Sequence, residues 1–88
     1  MRRGIQWDLD AWEDYIEWQR SDKAAAKKIN QLIKDALRDP FNGIGKPEPL
    51  KHELTGFWSR RINDTDRLTY YLKGDVVVIV SCKGHYAV

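Results

Sequence analysis

The 88-residue sequence contains one cysteine, Cys82, which excludes an internal disulfide and a cysteine-rich metal site. It contains no apolar run long enough to cross a bilayer and no segment with the layout of a signal peptide. Repeats, linkers and low-complexity segments are also missing. These absences predict one small domain, residues 1–88, in the cytoplasm and with no membrane association.

The sequence is also poor in histidine. Its two histidines, His52 and His85, have no close pair of carboxylates beside them, so no convincing set of metal ligands is present. We therefore expect neither a metal nor another cofactor. Any catalysis is expected to use the protein's own side chains.

Charge is unevenly distributed along the chain, although the net charge is only +2. Residues 1–22 contain six acidic and three basic residues, whereas residues 23–88 contain seven acidic and twelve basic residues. A basic segment of that length favours an anionic partner. A solvated surface with ordinary charge scatter explains the same counts equally well.

The spacing of apolar residues predicts an α+β fold, in which an N-terminal helix hairpin packs on a small, mainly antiparallel β-sheet. A short strand is expected at residues 3–7. A first helix follows and ends at Ser21-Asp22, and a second helix runs from Lys23 to about Arg38. The connection is so short that we expect the two helices to be antiparallel.

After the irregular segment 41–49, which is rich in glycine and proline, the apolar period changes to two. Segments 57–62 and 67–72 flank the turn sequence Asn-Asp-Thr-Asp, which predicts a β-hairpin. The apolar run from Val76 to Cys82 predicts a strand at the centre of the sheet, covered on both faces.

Strand alternation divides the side chains of the hairpin between two faces. Residues 50–54 also alternate, so we expect Lys51 and Glu53 on the open face. Arg60 has the parity of the core and is expected to reach solvent at an edge of the sheet. The core face is expected to carry Trp58, Ile62, Leu68, Tyr70 and Leu72, and the open face Phe57, Ser59, Arg61, Arg67, Thr69 and Tyr71.

The open face is suited to RNA, because arginines hold phosphates and aromatic rings stack on bases. Lys51, Arg61 and Arg67 would supply the charge there, and Phe57 and Tyr71 the rings. A half-solvated antiparallel sheet with ordinary polar residues is an equally acceptable interpretation.

Cleavage of a phosphodiester without a metal requires a base, an acid and a cation. His85 titrates near neutrality and can act as the acid. Glu48 lies between two prolines, on a stiffened loop that would hold a base in place. Arg67 supplies the cation, and Tyr86 can stack on a base or bind a phosphate. Taken one at a time, such residues are more often an ordinary loop acid or a surface histidine.

Four segments, taken together, resemble the YoeB toxins of the RelE/ParE superfamily. The longest are GKPEPLKHELTGFWSRRI at residues 45–62 and WQRSDKAAAKKINQLIKDALRDPF at residues 18–41. DRLTYYL at residues 66–72 and CKGHY at residues 82–86 follow in the same order and spacing. The resemblance covers nearly the whole chain.

The resemblance implies a ribosome-dependent endoribonuclease that cuts mRNA in the A site and is held inactive by a YefM-type antitoxin. It also implies a homodimer, and a helix pair on a small antiparallel sheet. By position, Glu48 corresponds to the family's general base and His85 to its general acid. Arg67 corresponds to the arginine that stabilises the phosphate, and Tyr86 to the tyrosine that assists at the substrate. Lys51 and Arg61 correspond to two basic residues of the same pocket.

Two other functions stay open at this stage. ParE-like proteins of the same superfamily act on DNA gyrase and are not nucleases. A protein-binding module would use the basic face only to hold an acidic partner. Neither function needs Glu48, Arg67, His85 and Tyr86 together, so their joint presence favours the nuclease.

Overall fold

The structure, a computed structural model, describes residues 2–84. Neither α-helix in that part of the chain is long and apolar enough to cross a membrane. The predicted order of one strand, a helix pair and then further strands is confirmed. The elements are β1 (Gly4–Trp7), α1 (Leu9–Ser21), α2 (Lys23–Arg38), β2 (Glu48–Pro49), a 3-10 turn (His52–Leu54), β3 (Phe57–Arg61), β4 (Arg67–Lys73) and β5 (Val76–Ser81).

The helix pair depends on a one-residue junction. Asp22 separates α1 from α2, and its carboxylate accepts a hydrogen bond from the backbone N–H of Ala25 at 3.0 Å, which caps α2. The apolar stripe of α2 is buried against the sheet, and Ile29, Leu32 and Ala36 have no exposed surface. This burial holds the helices on one face of the sheet. On the opposite face, which is called the open face below, Ser59, Thr69 and Val78 are also buried, whereas Arg61 is exposed.

The five strands form a single mixed sheet in the order β1-β5-β4-β3-β2. Three of its four pairings are antiparallel, as predicted, but β1 pairs with β5 in parallel. Val77, Val78 and Ile79 of β5 are completely buried, so both faces of this strand are covered, as predicted. The prediction that β5 is the central strand is wrong, because β4 occupies the middle of the sheet.

Two predictions about side-chain faces are also wrong. Residues 50–54 do not continue as a strand, because His52 adopts a left-handed backbone (φ +58°) and starts the 3-10 turn. Strand parity therefore does not place Lys51 and Glu53 on the open face. Arg60 does not reach solvent at an edge; its side chain is completely buried, because acceptors from the neighbouring loop and helix surround its guanidinium.

Candidate nucleic-acid interface

A row of polar residues crosses the open face of the sheet. Glu48 on β2 is paired with Ser59 on β3, Ser59 with Thr69 on β4, and Thr69 with Ser81 on β5. Neighbouring strands lie about 4.8 Å apart, so the row brings four elements distant in sequence into one line. Glu48 is the exposed, outer end of this row.

Thr69 lies in the middle of that row and is almost completely buried. Its hydroxyl has no hydrogen-bond partner among residues 2–84. Buried hydroxyls in folded proteins are nearly always paired, because an unpaired one costs about 1–3 kcal/mol. Thr69 therefore places a buried polar group at the centre of the row.

Two arginines stand side by side next to the row. Arg61 at the end of β3 is paired with Arg67 at the start of β4, which confirms the prediction that they share the open face. Arg61 is exposed and Arg67 half-buried, and neither forms a salt bridge within the described part of the chain. Like charges directly opposite each other destabilise a sheet. An anion bound by both guanidinium groups would reduce this repulsion.

The C-terminal segment is attached to the same corner of the sheet. The carbonyl of Gly84 accepts a hydrogen bond from the backbone N–H of Arg67 at 2.8 Å, and the N–H of Gly84 donates to Asp66 Oδ1 at 2.7 Å. Two residues earlier, the indole N–H of Trp18 donates to the carbonyl of Cys82 at 2.8 Å. These bonds place the residue that precedes His85 directly beside Arg67.

The segment that carries Glu48 is bounded by unusual backbone. Lys46, two residues before Glu48, has φ +52°, and His52, four residues after it, has φ +58°. Left-handed backbone at a residue other than glycine costs about 1–2 kcal/mol and is concentrated at functional sites. Lys51, just before the turn, is exposed and belongs to the same strained segment.

The predicted acid, His85, and the predicted assisting tyrosine, Tyr86, lie outside the described residues. Of the six predicted site residues, the structure thus places four, which are Glu48, Lys51, Arg61 and Arg67. It brings Arg61 and Arg67 together directly, with Glu48 on the neighbouring strand. No group of three histidine, cysteine, aspartate or glutamate side chains within residues 2–84 could hold a metal ion.

Residues 7–86 match the family model of the YoeB-like toxins of bacterial type II toxin-antitoxin systems. The chain belongs to this family. Toxin YoeB of Escherichia coli K12 is 55% identical over 80 residues, which cover 91% of this chain and 95% of the relative. Toxin YoeB of Streptomyces coelicolor is 57% identical over 82 residues, which cover 93% and 98%.

Solved structures of YoeB proteins superpose on this toxin. A YoeB/ParE toxin from Agrobacterium tumefaciens gives a TM-score of 0.91 at 45% identity, covering 94% of this chain and 99% of that one. A YoeB dimer from Staphylococcus aureus gives 0.89 at 47% identity, covering 98% and 100%. A heterotetrameric YoeB-YefM complex from the same organism gives 0.87 at 47% identity, with the same coverage.

Sequence reasoning misses one residue at the candidate site. The sequence predicts Asp66 only as part of a turn, but its carboxylate accepts a hydrogen bond from the N–H of Gly84 and so anchors the C-terminal segment. Burial alone would raise the pKa of Asp66, but hydrogen bonds from Gly84, Asn63 and Thr65 outweigh it and lower the pKa. The signal in the sequence is the position of an acidic residue at the end of the turn, one residue before Arg67.

Proposed function

We propose that this toxin inhibits translation by cutting mRNA in the ribosomal A site with metal-free acid–base chemistry. The observation that supports this most directly is the Arg61–Arg67 pair beside Glu48, on a sheet face that the helices leave open. Two cations next to a carboxylate suit a reaction that builds negative charge on phosphorus. The proposed location is the cytoplasm, where ribosomes are, and the domain acts as one unit.

In the proposed reaction, Glu48 takes the proton of a ribose 2′-hydroxyl, and the 2′-oxygen forms a new bond to the adjacent phosphorus. The bond from phosphorus to the 5′-oxygen breaks, and His85 gives that oxygen its proton. Arg67 stabilises the charge on the phosphate, and Tyr86 assists at the substrate. The products are a 2′,3′-cyclic phosphate and a 5′-hydroxyl.

Lys51 and Arg61 are proposed to bind the RNA rather than to react. Both are exposed, and Arg61 stands opposite Arg67. Phe57 and Tyr71 add an aromatic pair on the same face, with ring centroids 5.2 Å apart, on which bases can stack. The combination of charge and rings favours a nucleic-acid ligand over a purely acidic protein partner.

Mapping of cleavage on translating ribosomes tests the proposal. Glu48→Gln keeps the size of the side chain and removes the base, so the single-turnover rate is expected to fall on the order of 100- to 10,000-fold. Glu53→Gln is the matched control, because Glu53 is also exposed but lies in the 3-10 turn, outside the row. Free RNA is expected to be cut poorly, since a net charge of +2 binds nucleic acid weakly.

A ParE-like toxin that acts by binding alone is the alternative. Such a toxin would remain toxic as Glu48→Gln, because binding does not need a base. Cleavage at full rate by Glu48→Gln, or products with a 5′-phosphate, would also contradict the proposed chemistry. A 5′-phosphate requires water or hydroxide as the nucleophile in place of the 2′-oxygen.

The proposed inhibitor is a YefM-type antitoxin. The YoeB protein from S. aureus was solved in complex with YefM. The open face of this toxin offers Arg61 and Arg67 to an acidic segment, which would cover both cations and block access to Glu48. Neutralisation of the toxin therefore requires no change in its fold.

We also propose a homodimer, by analogy with the YoeB dimer from S. aureus. The surface that suits a second copy is the aromatic face of β1 and α1, where the rings of Trp7, Trp12 and Tyr15 contact one another. Trp12 is 43% exposed there, which is high for a tryptophan. Sedimentation velocity is expected to show weaker self-association for Trp12→Lys than for Phe41→Lys, a control of similar exposure outside this face.

A further inference from the structure

Arg60 uses every donor of its guanidinium inside the protein. Nε donates to the Tyr70 hydroxyl at 2.9 Å. One terminal nitrogen donates to Asp35 Oδ2 at 2.7 Å and to the carbonyl of Ile44 at 3.2 Å, and the other donates to the carbonyls of Asp39 at 2.7 Å and Asn42 at 3.2 Å. Arginine has five N–H donors, and all five are satisfied here.

Three of those five acceptors are backbone carbonyls of the loop that connects α2 to β2. Two side chains complete the attachment of that loop. Asp35 accepts a hydrogen bond from the N–H of Ile44 at 2.8 Å, and the Tyr70 hydroxyl donates to the carbonyl of Pro40 at 2.6 Å. Because α2, β3 and β4 each hold it, the loop is fixed from three directions.

The fixed loop leads directly to Glu48. The N–H of Arg61 donates to the carbonyl of Gly45 at 2.7 Å, so the loop reaches the edge of β3 only three residues before Glu48. Glu48 then pairs with Ser59, the residue next to Arg60 on β3. Arg60 projects to the helix side and Ser59 to the open side, so the Arg60 guanidinium and the Glu48 carboxylate lie on opposite faces of the sheet.

We propose that Arg60 is a positioning residue for Glu48. Its guanidinium, together with Asp35 and Tyr70, fixes the loop and thereby the position and orientation of the Glu48 carboxylate on the open face. This inference rests on the proposed function, in which Glu48 is the base. The ordinary alternative is that the network stabilises the fold and has no separate effect on the reaction.

A double-mutant cycle separates the two possibilities. Arg60→Lys keeps the charge but has three donors and no planar fork, so loop carbonyls lose their partners. At saturating ribosomes, and at a temperature where each variant is folded, its maximal cleavage rate is expected to fall on the order of 10- to 100-fold. The half-saturating ribosome concentration is expected to change by no more than about twofold, since binding residues are untouched.

The same substitution is then made in Glu48→Gln. With no base to position, Arg60→Lys is expected to add less than about a twofold loss. Tyr70→Phe, which keeps the ring and removes the hydroxyl between Arg60 and Pro40, is expected to behave in the same way with a smaller effect. Val77→Ala is the control for general destabilisation, because Val77 is fully buried on β5, two strands away from β3.

Amide hydrogen exchange gives a measurement that needs no activity. The N–H groups of Ile44 and Arg61 are expected to exchange faster in Arg60→Lys, and to be unchanged relative to global stability in Val77→Ala. If the losses in cleavage rate of Arg60→Lys and Glu48→Gln multiply in the double variant, Arg60 does not act through Glu48. That result would overturn the positioning role but not the proposed nuclease function. A wild-type protein that leaves ribosome-bound mRNA intact would remove both, even if the loop amides respond as expected.

Discussion

Replacement of Gly84 by alanine tests whether the C-terminal segment acts on the site through backbone geometry. Gly84 has φ +65°, and a Cβ atom added there would meet no atom of residues 2–84 within 4 Å. The cost therefore comes from the left-handed backbone alone, about 1 kcal/mol for alanine. In a domain of this size, a loss of about 1 kcal/mol lowers Tm by roughly 4–8 °C.

Gly74 provides a matched control. It has φ +59°, a Cβ there would also meet no atom within 4 Å in the described part of the chain, and it lies in the turn between β4 and β5. Gly74→Ala is thus expected to lose the same stability as Gly84→Ala. Thermal unfolding followed by circular dichroism checks this equality.

The two variants are expected to differ in cleavage. Relief of strain at position 84 would weaken the hydrogen bonds to Asp66 and Arg67, which anchor the residue before His85. A displacement of about 1 Å can cost on the order of 100-fold in rate, so a loss between about 10- and 100-fold is expected for Gly84→Ala only. Gly84→Asn, which tolerates a left-handed backbone better, is expected to recover much of the rate. Equal cleavage by Gly74→Ala and Gly84→Ala would refute the reasoning.

Three further predictions follow from the charges and the thiol. The N–H of Ile44 and the nearby guanidinium groups lower the pKa of Asp35 from its ordinary 3.8 to about 2. Protonation of Asp35 as pH drops from about 4 to 2 should therefore lower the free energy of unfolding by on the order of 1–2 kcal/mol. Urea titrations should show a smaller loss in Asp35→Asn than in wild type, and the remaining loss should come from carboxyl groups such as Asp66, whose pKa is also lowered. Antitoxin binding through Arg61 and Arg67 should weaken as salt rises, as isothermal titration calorimetry at two ionic strengths can measure; a salt-independent affinity would contradict this docking mode. Burial raises the pKa of Cys82 to about 12, so a thiol reagent at pH 8 should label it only after unfolding, and rapid labelling of the native protein would contradict this.

The hairpin shows how much of the site could be predicted from sequence. Alternation in β3 and β4 placed Arg61 and Arg67 on one face, because both strands are regular and their turn is short enough to fix the register. The long match to the YoeB family supplied the roles that alternation could not. Local periodicity was therefore sufficient to assign the side chains of Arg61 and Arg67 to one face of the sheet, whereas the resemblance was needed to assign proposed catalytic roles.

The errors have a common physical cause, which is dependence on distant partners. The burial of Arg60 requires acceptors from residues up to 25 positions away, and no local pattern around Arg60 reveals them. The parallel pairing of β1 with β5 joins residues about 70 positions apart. The 3-10 turn is a local exception, because the left-handed backbone of His52 ends the alternation of residues 50–54.

The position of β5 affects how the molecule is made. β5 is synthesised after all other strands, yet it lies between β1, the first strand, and β4. Until it leaves the ribosome, β1 has no partner in the sheet, and the outer edge of β4 is unpaired. Pairing across such long sequence separations is slow, because the chain must close a large loop first. A nascent chain would thus complete its sheet, and with it the proposed cleavage site, in one late step of folding.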